Sequence, residues 1–407
     1  MAAPHHRHQS SLEGIIDFST KPLLETDQRI KAKNRFYNII ERFNAKNNSN
    51  RTFYKRSRLI RYTYKYALSE ASKNNFLLAF FRAIKLSINK NRDISFKQIK
   101  SAFFDFTDYL LNNFFLPYNL LKTSGKKTPQ PSPAIHSAVQ RAQENKKTQG
   151  YIKTPDQIST LQHLCLVRNR HRYMISQKFN QRKAIGRFDY NHDNAQDNNR
   201  TLLSEKASFN ILKIAHILPH SLTKVNTNLQ LDPSKKAALA VLNIFNNSIR
   251  HLIKSININR PRNAITLTHS LHNLFRDFKI FFKPVPSSKQ FYTYQIDSLL
   301  PIYVSRTLGL PLTRTLYCTS NRTIDPPSPQ LLAVHHAIAY ILHLSAAGEY
   351  IDRLLRDADK DGGGIREDGS TDLGRLYIYC LSYLRLSCPT ICRTYFINQE
   401  QRSAQAK

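Results

Sequence analysis

Between Ile211 and Asp277 the chain sets two apolar runs and one helical pattern in an order that leaves few folds open. The first run, Ile211 to Ile217, is short, rich in β-branched residues and bounded by polar ones, which reads as a strand with His216 near its end. A long insert follows. It opens at Asp232-Pro233, where proline suits a first helical turn. Ala237, Leu239, Ala240, Leu242, Ile244 and Phe245 form its buried side, and Leu252 and Ile253 carry the chain back. Asn263 then opens the second apolar run, and His269 and His272 lie one turn apart at the head of a helical pattern. Taken singly, His216 reads as a core or surface histidine, His269 and His272 as exposed or capping residues, and Asn263 as a turn residue. It is their order and spacing together that point to a site.

Two stretches carry a resemblance: Ala-His-Ile-Leu-Pro from Ala215, and Asn-Ala-Ile-Thr-Leu-Thr-His-Ser-Leu-His-Asn-Leu-Phe from Asn263. They are similar to the HNH nuclease domains of filamentous-fungal proteins. The resemblance covers roughly Cys165 to Asp297, and the flanks Phe18 to Leu116 and Thr313 to Leu376 look like accessory regions of the same proteins. It implies an α+β fold: a ββα-metal HNH core with a helical N-terminal region and a C-terminal helical extension. It also implies one divalent ion (Mg, Mn, Ni or Zn), with His216 as general base, His272 and His269 as metal ligands, and Asn263 as a catalytic residue that either binds the ion or braces the loop aiming His216. His220 is a weaker candidate ligand. Arg260, Arg262 and Arg276 would meet phosphates. An imidazole suits the base role because it titrates near neutrality.

The chain departs from the family pattern in places. Ala215 stands where many HNH enzymes carry Asp or His, Ser270 where the fungal relatives carry Asp, and Tyr173 where a Cys follows Leu-Val-Arg-x-Arg-His-Arg. Asp277 lies beyond His272 but off its ideal face. Hard cations favour oxygen donors, so a missing carboxylate lowers their affinity. Two readings follow: a metal-dependent endonuclease hydrolysing phosphodiesters in DNA, or a degenerate HNH domain that binds nucleic acid through its basic surface. A third is a partner-binding scaffold acting through the N-terminal helices.

The formal net charge of +33 favours a polyanionic partner, because Lys and Arg neutralise phosphates and release counterions. Cys165, Cys318, Cys380, Cys388 and Cys392 form no Cys-x-x-Cys pair, which argues against a disulfide scaffold or zinc finger and suggests a reducing compartment. No signal-peptide layout is visible and the most apolar segment, Leu331 to Leu344, is broken by histidines. The expectation is an intracellular protein, nuclear or cytoplasmic, with no membrane span.

The organisation expected is disorder over 1–12, an all-helical region over 13–123, and a Pro- and Lys-rich linker over 124–150 with a short helix possible at Ala134 to Glu144. The HNH domain takes 151–300 with its helical insert at 232–255, an extension packs on it over 301–356, and a partly disordered tail fills 357–407. Within 151–300, a helix from Pro155 to Asn169 leads into a short strand over His171 to Ser176, and Asn180 to Ser208 reads as a surface excursion. Lys279 to Val285 and Phe291 to Asp297 alternate like paired strands, Tyr303 to Leu316 looks irregular, and Pro117 should stop the helix before it. Pro329 to Arg356 has the pattern of one amphipathic helix, and Leu373 to Leu386 could form another. The basic stripe Arg51, Lys55, Arg56, Arg58, Arg61 and Lys65, interleaved with Phe53, Tyr54, Tyr62 and Tyr64, reads either as a solvated helix face over core aromatics or as a DNA-backbone contact. The calcium-loop-like run from Asp357 places Gly364 and Asp368 where an apolar residue and Glu are needed, so it reads as a flexible acidic loop.

Overall fold

A computed structural model describes residues 24–46, 54–88, 95–123, 154–205, 208–223, 233–246, 248–253, 255–286, 291–317, 319 and 323–360. The expectations for 1–12, the linker, most of the tail with its acidic loop, and Arg51 and Phe53 of the basic stripe lie outside them. The fold is α+β, with small sheets set among helices.

The N-terminal region is helical as its periodicity predicts: α1 (Thr26–Lys46), α2 (Arg56–Lys65), α3 (Glu70–Ala83), α4 (Phe96–Leu110) and α5 (Leu116–Thr123). Aromatic rings fill its centre. Phe36 lies edge-on to Phe80 at 5.0 Å, and Phe43 stacks on Phe103 at 4.1 Å. Pro117 does not stop the chain. A π-helical turn, Leu111–Phe115, passes directly into α5 and carries the helix through the proline, whose missing N–H leaves one helical bond unmade.

Helix α6 (Thr154–Arg168) ends in a pair of turns, where Arg170 and His171 take positive φ, so the strand expected at His171 to Ser176 does not form. The excursion after it is built, with β1 (Phe179–Asn180) and β2 (Phe209–Asn210) parallel and α7 (Gln181–Asn191) between them. Phe179, Ala184, Ala195 and Leu203 give it a small core of its own. Arg172 pairs with buried Asp197, whose other oxygen accepts from the backbone N–H groups of Asn199 and Thr201.

Strand β3 (Leu212–His216) pairs antiparallel with β4 (Ala264–Thr268), setting His216 opposite Ala264. The insert between them folds as α8 (Pro233–Leu242) and α9 (Ile249–Ile253). Helix α10 (His269–Arg276) follows β4 at once, its N-terminus capped by the Thr268 hydroxyl, and packs back on both strands. Strands β5 (Ile280–Pro284) and β6 (Thr293–Ser298) form the expected hairpin. The stretch read as irregular supplies α11 (Ile302–Thr307) and a third strand, β7 (Leu312–Thr315), beside β6.

The last helix is two helices. α12 (Pro329–Leu344) and α13 (Ala347–Lys360) meet at 85°, with Ala346 in the left-handed region at φ 59° between them. No single helix among the described residues is long and apolar enough to cross a membrane. α12 is buried on most sides, packed against β5, α2 and α13. One apolar cluster runs from α1 to α13. Backbone hydrogen bonds stitch it across sequence: Lys55 N to Ser345 O at 2.8 Å, and Leu68 N to Phe245 O at 3.0 Å.

Candidate active site

The site is assembled around the loop that leaves β3. Asn263 is fully buried one residue before β4, and its carboxamide reaches across to that loop. Nδ2 donates to the carbonyls of Leu218 (3.0 Å) and Ile258 (2.9 Å), while Oδ1 accepts from Leu218 N at 2.9 Å. Its backbone carbonyl accepts from Ile217 N at 2.9 Å. Three orphan backbone groups are satisfied by one side chain, which fixes the chain directly after His216. Of the two roles open to Asn263, bracing the loop is the one its bonds serve; both ends of the carboxamide are committed.

His216 is half-buried. Its Nε2 lies 3.2 Å from Asn259 Oδ1, and its ring centroid is 5.3 Å from that of His220. With Asn259 accepting, the proton sits on Nε2 and the lone pair on Nδ1. Burial, reinforced by His220 and more weakly by His272, pushes the imidazole down to about 3, against the opposing pull of Asn259. At neutral pH it is an uncharged base. His272 is half-buried on α10 and lies within electrostatic reach of His216. His269 does not act on His216; it is exposed at the first position of α10.

The arginines divide. Arg260 is exposed and Arg262 half-buried in the turn leading to Asn263. Arg276 is held as a fork by its neighbour Asp277, Nε to Oδ1 at 2.9 Å and Nη2 to Oδ2 at 3.3 Å, so it does not present a bare cation to phosphate.

A divalent ion implied by the resemblance would need donors that this arrangement supplies only in part. Among the described residues no group of three or more His, Cys, Asp or Glu is arranged to hold a metal. Asn263 is committed, Asp277 is bound to Arg276, and what remains near His216 is imidazole nitrogen, a poor match for oxygen-seeking Mg²⁺ or Mn²⁺. These residues do not fit a ready-made ion site.

Sequence reasoning missed the frame beneath. Arg168 is fully buried at the end of α6. Its guanidinium donates to the carbonyls of Pro261 (2.8 Å), Asp325 (3.0 Å) and Ala264 (2.9 Å), clasping the turn that carries Asn263. Asn169 beside it donates to Thr266 Oγ1 at 2.5 Å. His335 of α12, buried, lies parallel to Phe275 of α10 at 3.8 Å with Nε2 3.0 Å from the Phe275 carbonyl, locking the helix that bears His272. Asn259 was also missed. These partners are separated by tens of residues, and no local pattern marks them.

Residues 190–283 match the model of the HNH endonuclease family. The matched stretch is similar to an HNH endonuclease domain. It begins in α7, takes in β3, the insert, β4 and α10, and ends in β5. His216, Asn263 and His272 fall inside it, and Arg168 falls outside. No curated protein and no solved structure matches the chain.

Proposed function

We propose that the protein is an HNH-type endonuclease that hydrolyses phosphodiester bonds in DNA, with His216 as the base that takes a proton from the attacking water. The observation that carries this reading is the brace: a buried Asn263 holding the loop after His216, inside the HNH-matched stretch. The match supports a nuclease-type function; the residue roles are our reading.

The chemistry runs as follows. Water between His216 Nδ1 and a seated phosphodiester loses its proton to the imidazole as its oxygen bonds to phosphorus; the P–O bond to the departing sugar oxygen breaks, and that oxygen takes up a proton from solvent. A base held near 3 is weak, yet a phosphate beside it brings negative charge, which raises its proton affinity as the substrate docks. Arg260 and Arg262 stand on the adjoining turn, where their charge would oppose that building on the phosphoryl oxygens. HNH domains use a divalent ion; here His272 is the residue we assign to it, with the other ligands unassigned because the described donors fall short of a site.

The shortage of donors favours a second reading, a domain that binds nucleic acid without cutting it. Incubation with supercoiled plasmid and Mg²⁺, Mn²⁺, Ni²⁺ or Zn²⁺ separates the two. The nuclease reading expects nicking with at least one ion and its loss in His216→Ala. Retention of DNA on the protein with no nicking under any ion leaves the binding reading in its place.

A further inference from the structure

Away from His216, side-chain rings from α2, α12 and β5 form a continuous run on the outside of the molecule. Tyr62 and Tyr66 lie one turn apart at the end of α2, 6.3 Å between centroids, and Tyr66 meets Tyr340 of α12 at 5.3 Å. Tyr340 sits edge-on to His336, one turn earlier, at 4.8 Å. His336 in turn stacks on Phe281 of β5 at 4.8 Å. Phe281 is sealed, but Tyr62, Tyr66, His336 and Tyr340 are only half-buried. Cations flank the run. The Lys65 ammonium is 5.8 Å from the Tyr66 ring centre, Arg58 precedes Tyr62 by one turn, and exposed Lys283 acts on His336. Asp297 acts on Tyr340.

We propose that this run is a track for single-stranded nucleic acid, with unpaired bases laid on the tyrosine and histidine rings and the backbone following Arg58, Lys65 and Lys283. Every base has a π-face, so aromatic platforms between cations bind single strands with little sequence preference. A duplex keeps its bases stacked and could use only the cations. An aliphatic protein surface would match the ring bodies but not the lysines, whereas a polynucleotide matches both, as does the formal charge of +33. The inference rests on nucleic acid being the protein's partner, as proposed above. It adds that the strand is unpaired beside the nuclease-like module, since Phe281 and Lys283 lie in the strand that follows α10.

The test is anisotropy of a labelled oligothymidylate of roughly 15 nucleotides, within single-strand site sizes, on the full chain with a chelator present. Tyr66→Ala with Tyr340→Ala should weaken binding on the order of tenfold or more per ring while leaving the salt slope unchanged; Tyr66→Phe with Tyr340→Phe should bind like the parent. Lys65→Gln and Lys283→Gln should each reduce the salt slope by about one. Parent-like affinity in the alanine pair, or equal loss in the phenylalanine pair, overturns the proposal. If the alanine pair does not fold, Lys65→Glu with Lys283→Glu decides at exposed positions, where unchanged affinity overturns it. A parent chain that nicks plasmid yet shows no preference for single strands over duplex sinks this inference alone. Tight single-strand binding without nicking keeps it and removes the nuclease reading.

Discussion

The helical region from α1 to α4 and the hairpin module of β3, β4 and α10 are both tightly packed, but different forces position them. Around Phe36, Phe43, Phe80 and Phe103 the contacts are ring on ring, and what matters is volume and shape. Beneath His216 the positioning comes from buried polar side chains closing on backbone groups: Arg168 on three carbonyls, Asn263 on the 217–218 loop and Ile258, Asn169 on Thr266. A close-packed apolar core tolerates exchange of one hydrophobic group for another. A polar clasp does not, because a missing donor leaves its buried acceptor unmade. The catalytic candidate sits on the second kind of foundation, which fixes geometry at the expense of tolerance.

Four outcomes would sharpen or break this contrast. The largest loss is expected for Phe80→Ala, a stability drop of about 3–5 kcal/mol from the cavity left in the ring cluster, with Phe80→Leu costing roughly 1.5. Urea midpoints check both. Next comes Arg168: replacement by Lys should cost about 3 kcal/mol, nearly as much as replacement by Ala, since an ammonium cannot reach the three carbonyls that the fork holds. If Lys is as mild as Phe80→Leu, the polar-clasp account is wrong. Asn263→Ala should cost about 2 kcal/mol for the released backbone groups, and any cleavage should fall far more than the stability does. Loss of stability without loss of cleavage would make Asn263 merely structural.

The last outcome is a pH dependence. His216 has its folded pKa pushed down to about 3 from an ordinary 6.5, so between those values the unfolded chain binds the extra proton. Stability from this group is therefore complete above about 6.5 and declines as pH falls toward 3. His171 and His336, each held near 4, act in the same direction. A His216→Asn chain should show a flatter decline in melting temperature on acidification than the parent. An identical decline would mean that the ring is not enclosed as described.

Much of this was legible in the sequence. Alternation and helical spacing gave β3, β4, α10 and the β5 to β6 hairpin, and the order of His216, Asn263 and His272 gave the module its likeness before any contact was known. What escaped was whatever local pattern cannot carry. The apolar periodicity of α12 runs on into α13, and the 85° bend falls at Ser345 and Ala346, while the nearest glycine, Gly348, lies inside α13. The π-turn ahead of Pro117 let a helix continue where the residue type argued for a stop. Arg168 reads as one more cation in a chain crowded with them; only its burial and its partners, 93 and 157 residues away, single it out. Arg276 differs in that its carboxylate partner is the next residue.

The most direct test of the account measures plasmid nicking and DNA affinity on one preparation of the parent and of His216→Ala. The account predicts that nicking disappears in the variant while affinity, set by the basic surface, stays within about twofold, as expected for a residue that makes no phosphate ion pair. Nicking that survives in His216→Ala at the parent rate would contradict it.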